Sequence, residues 1–258
     1  MLPTVTTTAY LMPLREGGSL PGIVEGDDLG TYVAKFAAAG QGPKALVAEI
    51  VVGELGRRVG LRVPSLVLLD LDASIGRSEP DEEVQELLVA STGLNLGVDF
   101  LPGALGFDCT WFAVDPDEAA TVVWLDAFTA NVDRSWRNPN LLVWHGRLWC
   151  IDHGATLRFH HDWGRRDRFA RTAYDYGDHV LSRVASPLHP VADRLASQVD
   201  AGVLDEVLAL VPDAWLEPDA DRPDAAAPAN PAAARDAYRD TLLARLAAAD
   251  HWLPAAGS

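Results

Sequence analysis

The order of extended segments and helices along the chain is the feature that most limits its possible folds. The first 40 residues combine strand-like runs with turn signals, in the order TTTAYLMPL, GGSLP, GIVEG, DDLG and TYVAKF. A helix is predicted over roughly Pro43 to Arg58, with Gly60 and Pro64 as its stop signals. It is followed by the buried strand SLVLLDLD, the short helix EEVQELLVAS and the extended piece GVDFL. This pattern predicts a small, β-rich first part that contains one long helix.

The sequence becomes mainly helical after FLPGALGFDC. The run DPDEAATVVWLDAFTAN has acidic residues suited to a helix N-terminus and apolar residues at helical spacing. After the polar loop NVDRSWRNPN, the runs LLVW and RLWCI flank His145-Gly146 as a hairpin. Amphipathic helices are predicted for AYDYGDHVLSRV, ADRLASQV and AGVLDEVLALV, a linker for DADRPDAAAPANPAAA and a final helix for ARDAYRDTLLARLAAA.

Charge and hydropathy argue against several classes of protein. The formal net charge of -16 would repel nucleic acid and anionic membranes, so no direct nucleic-acid or membrane binding is expected. No apolar run is long enough to cross a bilayer, and MLPTVTTTAY does not resemble a secretory signal. A soluble cytoplasmic protein is therefore predicted. Cys109 and Cys150 lack a metal-binding or redox spacing and are predicted to be buried small hydrophobic residues.

Two ionic residues lie in apolar surroundings in the first part. Lys35 shares one face of its strand with Val33 and Ala37, where an ammonium group needs an anion, although an edge-strand lysine reaching water fits about as well. Glu49 falls on a small-residue stripe of the long helix, which permits close approach of another element. Together they suggest an ion pair between strand and helix.

The loop NVDRSWRNPN groups acidic and amide side chains at a defined spacing. Asp133 and Asn138 form the spacing D-x-x-x-x-N, and Asp152 follows after one hairpin. Phosphoryl transfer of the kinase type uses one aspartate to orient the attacking hydroxyl, and an asparagine with a second aspartate to bind Mg²⁺. Asp and Asn also favour ordinary turns, so the loop alone is a weak signal. With Lys35 and Glu49 before it, the order fits a kinase.

The sequence at this point resembles the HipA-like kinases, relatives of the phosphoinositide kinases. The resemblance runs through most of the chain and rests on GGSLPGIVEGDDLGTYVAKF, AEIVVGELGRRVGLRVP, DFLPGA, NVDRSWRNPNLL, IDHGATLRFHH and AYRDTLLARL. It implies an α+β, bilobal protein-kinase-like fold in one kinase-like domain. Residues 1–103 would form a small antiparallel β-rich N-lobe and hinge, and residues 104–258 a larger, mainly helical C-lobe.

The resemblance also implies roles for individual residues. Lys35 becomes the phosphate-binding lysine and Glu49 its partner, Asp133 the catalytic aspartate, and Asn138 and Asp152 the magnesium ligands.

The resemblance implies two further stretches for nucleotide binding. The turn Gly17-Gly18-Ser19 offers backbone N–H groups for phosphate, although such a turn is often only a turn. Asp99, Phe100 and Leu101 stand where a hinge would bind adenine, and from the sequence alone they are a strand end.

Some positions depart from the family pattern, and the roles of several arginines can be interpreted in two ways. Ser135 stands where relatives often have histidine, His153 stands at the position of the D-F-G phenylalanine, and no G-x-G-x-x-G is present. Arg134 and Arg137 suit either neutralisation of the transferred phosphate or structural ion pairs. The basic run HHDWGRRDRFAR suits either an acidic or phosphorylated ligand or a solvated helix face; its arginines are Arg165, Arg166, Arg168 and Arg171.

These observations predict an ATP- and Mg²⁺-dependent kinase. The family resemblance implies a protein serine or threonine as acceptor, with autophosphorylation at Ser19 as one candidate. A small-molecule phosphotransferase of the aminoglycoside or choline kinase type is the first alternative, weakened because Asn131 stands where those enzymes usually have histidine. A nucleotide-binding pseudokinase scaffold is the second. The sequence does not predict an oligomeric state.

Overall fold

The computed structural model describes residues 1–14, 20–77, 79–220 and 223–253. The predicted phosphate turn Gly17-Gly18-Ser19 lies outside the described residues. The chain forms two compact units. The first comprises Met1–Leu46 and Pro64–Pro102, and the second comprises Val47–Val63 and Gly103–Ser258. Helix α1 (Pro43–Arg58) begins in the first unit and continues into the second.

The first unit contains a closed barrel with the strand order β1-β2-β3-β5-β4. The predicted strands are confirmed. Its elements are β1 (Thr4–Pro13), β2 (Gly22–Gly26), β3 (Thr31–Lys35), β4 (Leu66–Leu71), α2 (Ala73–Arg77), α3 (Glu82–Ala90) and β5 (Gly93–Asp99).

One strand pairing departs from the expected antiparallel lobe. β1 pairs with β4 in parallel, with Thr4 opposite Leu68 and Thr6 opposite Asp70, whereas the other barrel pairs are antiparallel. Two hairpin-connected strands and α1 separate β1 from β4 in sequence, and parallel strands require such a long connection. The prediction of a purely antiparallel sheet was therefore wrong in this pairing.

The barrel core follows the alternation of β3. Tyr32 and Ala34 are buried inside with Phe36, while Val33 and Lys35 are partly exposed on the other face. The predicted shared face of Lys35 and Val33 is thus confirmed. On β5, a Cβ atom at Gly97 would lie only 2.6 Å from a methyl group of Val67, so this position admits no larger side chain without displacement of the core.

Helix α1 ends as its sequence predicts. Gly60 adopts a φ of 90°, and the N–H groups of Leu61 and Gly60 donate to the carbonyls of Gly56 (2.9 Å) and Arg57 (3.1 Å). This pair of bonds is the Schellman motif, which favours glycine in the left-handed position. Glu54 forms an ion pair with Arg57 one turn further along the helix.

The second unit contains a three-stranded sheet and most of the helices. Its predicted hairpin and final helix are confirmed. Its elements are β6 (Leu105–Gly106), α4 (Pro116–Thr129), β7 (Leu141–Trp144), β8 (Arg147–Cys150), α5 (Arg166–Arg171), α6 (Leu188–Ala196), α7 (Ala201–Leu208), α8 (Pro231–Ala247) and α9 (Ala249–Trp252), with 3-10 turns at Arg158–His161, Trp163–Arg165 and Asp213–Trp215.

A buried arginine joins four helices of this unit. Arg245 of α8 is fully buried, and the hydrogen bonds that it donates to the described residues all go to backbone carbonyls. It bonds Ala127 (2.6 Å) and Phe128 (2.7 Å) at the end of α4, and Phe169 and Thr172 at the end of α5. Its own carbonyl accepts from the indole of Trp252 in α9 (2.5 Å). The C-terminal ends of helices present unpaired carbonyls with partial negative charge. One guanidinium can therefore donate hydrogen bonds to the carbonyls at the ends of two helices at once.

Three predictions about the second unit were wrong. Residues 173–184, predicted as an amphipathic helix, form turns, in which Asp175 accepts from the amide of Gly177 (3.0 Å). The predicted linker ends early, because Pro231 begins α8 behind the N-cap Asn230. Cys109 is exposed, whereas Cys150 is buried as expected and both are free thiols.

Among the described residues, no helix is long and apolar enough to cross a membrane.

Candidate active site

Helix α4 delivers the polar loop at its C-terminal end. It begins at the N-cap Asp115, whose carboxylate accepts from the amides of Asp117 (2.9 Å) and Glu118 (3.1 Å), as its acidic start predicts. It ends at Ala130, which is in the left-handed conformation with a φ of 54°. Residues Ala119–Thr129 are all buried, so the loop follows a helix that is fixed by packing in the core of the second unit.

Asp133 and Asn138, which the sequence analysis grouped by their spacing, lie in direct contact. The Nδ2 atom of Asn138 donates to Oδ2 of Asp133 at 2.8 Å, and Nδ2 of Asn140 donates to the same oxygen at 3.0 Å. The amide of Asp133 donates to Oδ1 of Asn131 at 3.0 Å. Asp133 is partly exposed. Two amides and one backbone bond thus orient a carboxylate that solvent or a substrate can reach.

Ser135 closes the loop between these two residues. Its amide lies 2.9 Å from the carbonyl of Asp133 and 3.0 Å from that of Asn138, and the amide of Asn138 donates back to the Ser135 carbonyl at 3.1 Å. The Ser135 hydroxyl lies 3.3 Å from the Asn138 amide. The residue that departs from the family pattern therefore stabilises the turn that holds Asp133 and Asn138 together.

A buried ion pair lies beneath the loop. Oδ2 of Asp126, inside α4, accepts from Nε of Arg134 at 2.6 Å and from Nε2 of His179 at 2.9 Å. Its Oδ1 accepts from Nδ2 of Asn131 at 2.8 Å. Nδ1 of His179 accepts from the amide of Leu181 at 3.1 Å, so its proton lies on Nε2 in the tautomer that these contacts require. All three polar side chains around Asp126 are buried.

The surroundings of Asp126 keep it ionised. Burial alone raises its pKa, but the charge of Arg134 and the hydrogen bonds from His179 and Asn131 outweigh burial and lower the pKa to about 2. Burial lowers the pKa of Arg134, but Asp126 outweighs this and raises it. Both groups are therefore charged at neutral pH. Of the two readings of Arg134, the structural ion pair is confirmed.

Arg134 also connects the loop to the segment that carries Asp152. Its Nη1 donates to the carbonyls of Asn140 and, at 3.3 Å, of Ile151, and its Nη2 lies 3.3 Å from Nδ1 of His153. Asp152, between these contacts, has a φ of 56° and is partly buried. The hairpin β7–β8 brings this segment back to the loop, because the amide of Ile151 donates to the carbonyl of Asn140 at 3.1 Å. His153 is thus packed into the frame beneath the loop.

Arg137 differs from Arg134. It is exposed, and its guanidinium lies 4.2 Å from the ring centre of the exposed Trp136. Among the later arginines, Arg165 pairs with Asp162 at 2.9 Å.

The remaining predicted site residues lie elsewhere in the chain. Lys35 ends β3 in the first unit, partly exposed, whereas Glu49 is buried in the α1 segment of the second unit, so their pairing stays a prediction. In the predicted hinge, the amide of Asp99 donates to the carbonyl of Ser65 (2.8 Å) and that of Phe100 to Thr31 (3.0 Å). Leu101 is buried. The sheet thus uses two of the three hinge amides.

The sequence interpretation missed Asp126, Asn131, Asn140 and His179 as parts of this site. A signal for Asp126 was present, because an aspartate in the middle of the apolar run TVVWLDAFTA needs a buried partner. Nothing in the sequence near His179 identified it, since it lies 53 positions from Asp126.

The donor set suits a hard cation only with further ligands. In the described ranges, no cluster of three or more His, Cys, Asp or Glu side chains is arranged around a metal position. The nitrogen of Asn138 is used by Asp133, so its Oδ1 atom is the one that can bind a cation. Amide and carboxylate oxygens fit Mg²⁺, which usually takes one or two protein ligands and completes its shell with phosphate and water.

Comparisons with known proteins bear on the family and the fold of the chain. The family model described as HipA-like kinase matches residues 9–253. Among solved structures, the proinflammatory kinase CtkA of Helicobacter pylori is similar, with a TM-score of 0.54 and 11% identity over 96% of this chain and 97% of that chain. The Golgi casein kinase matches less well, with a TM-score of 0.46 and 14% identity over 97% of this chain and 74% of that chain. No curated protein sequence matches. The likeness to CtkA shows a mixed α+β kinase fold.

Proposed function

Because the chain belongs to the HipA-like kinase family, we propose that it transfers the γ-phosphate of ATP, with Mg²⁺, to a serine or threonine hydroxyl of a protein. The observation that carries this proposal is the pair Asp133 and Asn138, joined at 2.8 Å in a loop that Arg134 ties to the segment of Asp152. Membership in the family supports a kinase. The use of ATP and Mg²⁺ and the protein acceptor are proposed here on the basis of the site residues.

Asp133 is the group that we assign to the acceptor hydroxyl. Its Oδ2 atom is occupied by the amides of Asn138 and Asn140, so Oδ1 is the oxygen that can accept the hydroxyl proton. A carboxylate that is fixed in this way orients the nucleophile and accepts its proton as the phosphate bond forms. The fixed geometry avoids the entropic cost of orienting the base during the reaction.

Oxygen atoms of Asn138 and Asp152 would hold the magnesium ion. When bound, Mg²⁺ neutralises charge on the phosphate oxygens. Arg134 helps these two ligands by fixing the backbone on both sides, at Asn140 and at Ile151.

The first unit would supply the nucleotide contacts. We assign Lys35 to the phosphates with Glu49 as its partner, and the turn Gly17-Gly18-Ser19 to the phosphate oxygens. For adenine we propose the carbonyl of Asp99 and the amide of Leu101, because the amides of Asp99 and Phe100 are used within the sheet. The two-lobe division at residue 103 belongs to the same proposal.

The departures at Ser135 and His153 are compatible with activity. Ser135 stabilises the turn between Asp133 and Asn138, and His153 packs against Arg134 below it. Neither substitution removes one of the five ionic or metal-binding groups of the proposed mechanism. This supports an active kinase over a scaffold.

The test uses purified protein, ATP labelled at the γ-phosphate, Mg²⁺ and a cell lysate. Asp133→Asn keeps an oxygen that can accept from Asn138 but loses the base, so label transfer should fall by about 10² or more, while binding of a fluorescent ATP analogue is retained. Asp193→Asn, an exposed aspartate of α6, is the matched control and should transfer label like the wild type.

The destination of the label decides the acceptor class. Asp133-dependent label on serine or threonine of a protein supports the proposal, and label on a small molecule overturns the protein acceptor. Equal transfer by wild type and Asp133→Asn would refute the assigned role. ATP binding without any transfer by the wild type would favour the scaffold.

A further inference from the structure

A groove lies between α5 and α8 in the second unit, and none of its lining residues belongs to the proposed catalytic set. Its volume is about 830 Å³. One wall carries three arginines of α5, and the other is the small-residue side of α8. The lining residues are Arg166, Asp167, Arg168, Ala170, Arg171, Ala237, Asp240, Thr241, Ala244, Ala247 and Ala248.

The groove is positively charged in a strongly acidic chain. Arg166, Arg168 and Arg171 are exposed, and within the described part of the chain none of them forms an ion pair with a carboxylate. Of the two acidic lining residues, Asp240 is already paired with Arg239 at 3.2 Å. The chain as a whole carries a net charge of -16. The second acidic lining residue, Asp167, lies on α5 between Arg166 and Arg168. Three arginine side chains that line one groove and form no ion pair with a carboxylate in the described part of the chain therefore offer a local site for a negatively charged ligand.

The two walls of the groove are held at a fixed separation. Arg245 of α8 donates to the carbonyls of Phe169 and Thr172 at the end of α5, and its guanidinium lies 4.6 Å from the ring centre of Phe169. The same guanidinium donates to the carbonyls of Ala127 and Phe128 in the last turn of α4, the helix that leads into the loop of Asp133. The groove thus has a preformed shape and is connected to the catalytic loop through one buried side chain.

We propose that this groove binds an Asp- and Glu-rich segment of the protein substrate. Arginine guanidinium groups match carboxylates in charge and in planar geometry, and the alanines of α8 allow a peptide backbone to approach closely. The assignment to the substrate rests on the proposed kinase function, whereas the binding of an acidic peptide does not.

The direct test is fluorescence anisotropy with the full chain and a fluorescein-labelled peptide of glutamate, alanine and glycine. The triple variant Arg166→Gln, Arg168→Gln, Arg171→Gln should raise Kd roughly ten-fold, because three exposed ion pairs contribute about two-fold each. Binding should weaken as salt is added, since exposed charges are screened. The same peptide with glutamine in place of glutamate should not bind.

A second triple variant separates the groove from the net charge of the protein. Arg147→Gln, Arg183→Gln and Arg194→Gln remove three exposed arginines elsewhere in the same unit. This variant should bind the acidic peptide like the wild type. Equal weakening in both variants would overturn the groove as the site, and so would equal binding of the glutamine peptide.

Other occupants give distinct results. If a phosphopeptide binds and the glutamate peptide does not, the proposal that the groove binds an Asp- and Glu-rich segment is overturned. If the chain self-associates and only the groove variant loses this self-association, the occupant of the groove is a second copy of the chain. This result would overturn the proposal of a substrate segment as the occupant. The peptide has no hydroxyl side chain and the assay contains no ATP, so failure here is distinct from failure of the proposed kinase activity.

Discussion

Replacing Asp126 by asparagine tests the frame beneath the catalytic loop. The substitution preserves shape but removes the charge that Arg134 faces at 2.6 Å, and an amide cannot accept from Arg134, His179 and Asn131 as the carboxylate does. Loss of one partner from a buried ion pair costs about 3–5 kcal/mol. One acceptor remains, so we expect about 3 kcal/mol, which corresponds to a fall in Tm of roughly 6–12 °C.

Urea denaturation followed by tryptophan fluorescence measures the loss of folding free energy in the second unit. All eight tryptophans belong to the second unit, so their emission reports unfolding of the unit that contains Asp126. Asp193→Asn is the matched control and should change the free energy of unfolding by less than about 0.5 kcal/mol. A loss below about 1 kcal/mol in Asp126→Asn would refute a strong buried pair.

A double variant tests the coupling directly. In Asp126→Asn with Arg134→Met, no charge is left without its partner, so the loss should be smaller than the sum of the two single losses by roughly 1–3 kcal/mol. Additive losses would mean that the two side chains do not depend on each other.

Acid unfolding independently measures how much the ionised carboxylate of Asp126 stabilises the fold. The pKa of Asp126 is lowered from 3.8 to about 2 in the folded protein, so its ionised form contributes stability above pH 4, and this contribution is lost as the pH falls from about 4 to about 2. It amounts to roughly 2 kcal/mol. Asp126→Asn should lack this part of the acid dependence, and an unchanged acid profile would contradict the assignment.

Two further predictions concern other buried groups. Burial raises the pKa of the Cys150 thiol to about 12, so iodoacetamide at pH 8 should label the exposed Cys109 and leave Cys150 unmodified in the native protein, as mass spectrometry of the peptides would show. Labelling of both thiols at similar rates would contradict this. Burial lowers the pKa of Arg245 to about 9, which still leaves it charged at neutral pH. Arg245→Lys cannot donate to four carbonyls in two directions and should lose about 2–4 kcal/mol in urea denaturation, whereas the exposed Arg194→Lys should match the wild type.

Local signals predicted the elements that hold the site. Gly60 ended α1 because the left-handed position of its capping motif favours glycine, and Asp133 and Asn138, grouped from their spacing, belong to one loop in which their side chains touch. Both features depend on residues close in sequence. The contact of Asp126 with His179 could not be predicted in this way, because it joins a helix to a turn 53 positions later.

Two of the failed predictions share a physical cause. Residues 173–184 have helical spacing, but His179 gains a buried hydrogen bond to Asp126 and a backbone bridge to Ser135, which a helix in this segment would not provide. The parallel pairing of β1 and β4 depends on the path of the chain through α1. The hydrophobic pattern within each strand does not indicate whether the pair is parallel or antiparallel. Tertiary contacts decide such cases against local propensity.

One buried carboxylate positions both parts of the proposed catalytic apparatus. Asp126 holds Asn131, whose side-chain oxygen accepts from the amide of Asp133, and it holds Arg134, which donates to the carbonyl just before Asp152. Chemistry and positioning should therefore separate in the variants. Asp133→Asn should lose phosphoryl transfer at nearly unchanged stability. Asp126→Asn should lose stability and, when assayed at a temperature where it is fully folded, should still transfer phosphate more slowly than the wild type. If its rate per folded molecule equalled that of the wild type, Asp126 would serve folding alone and the loop would keep its geometry without it.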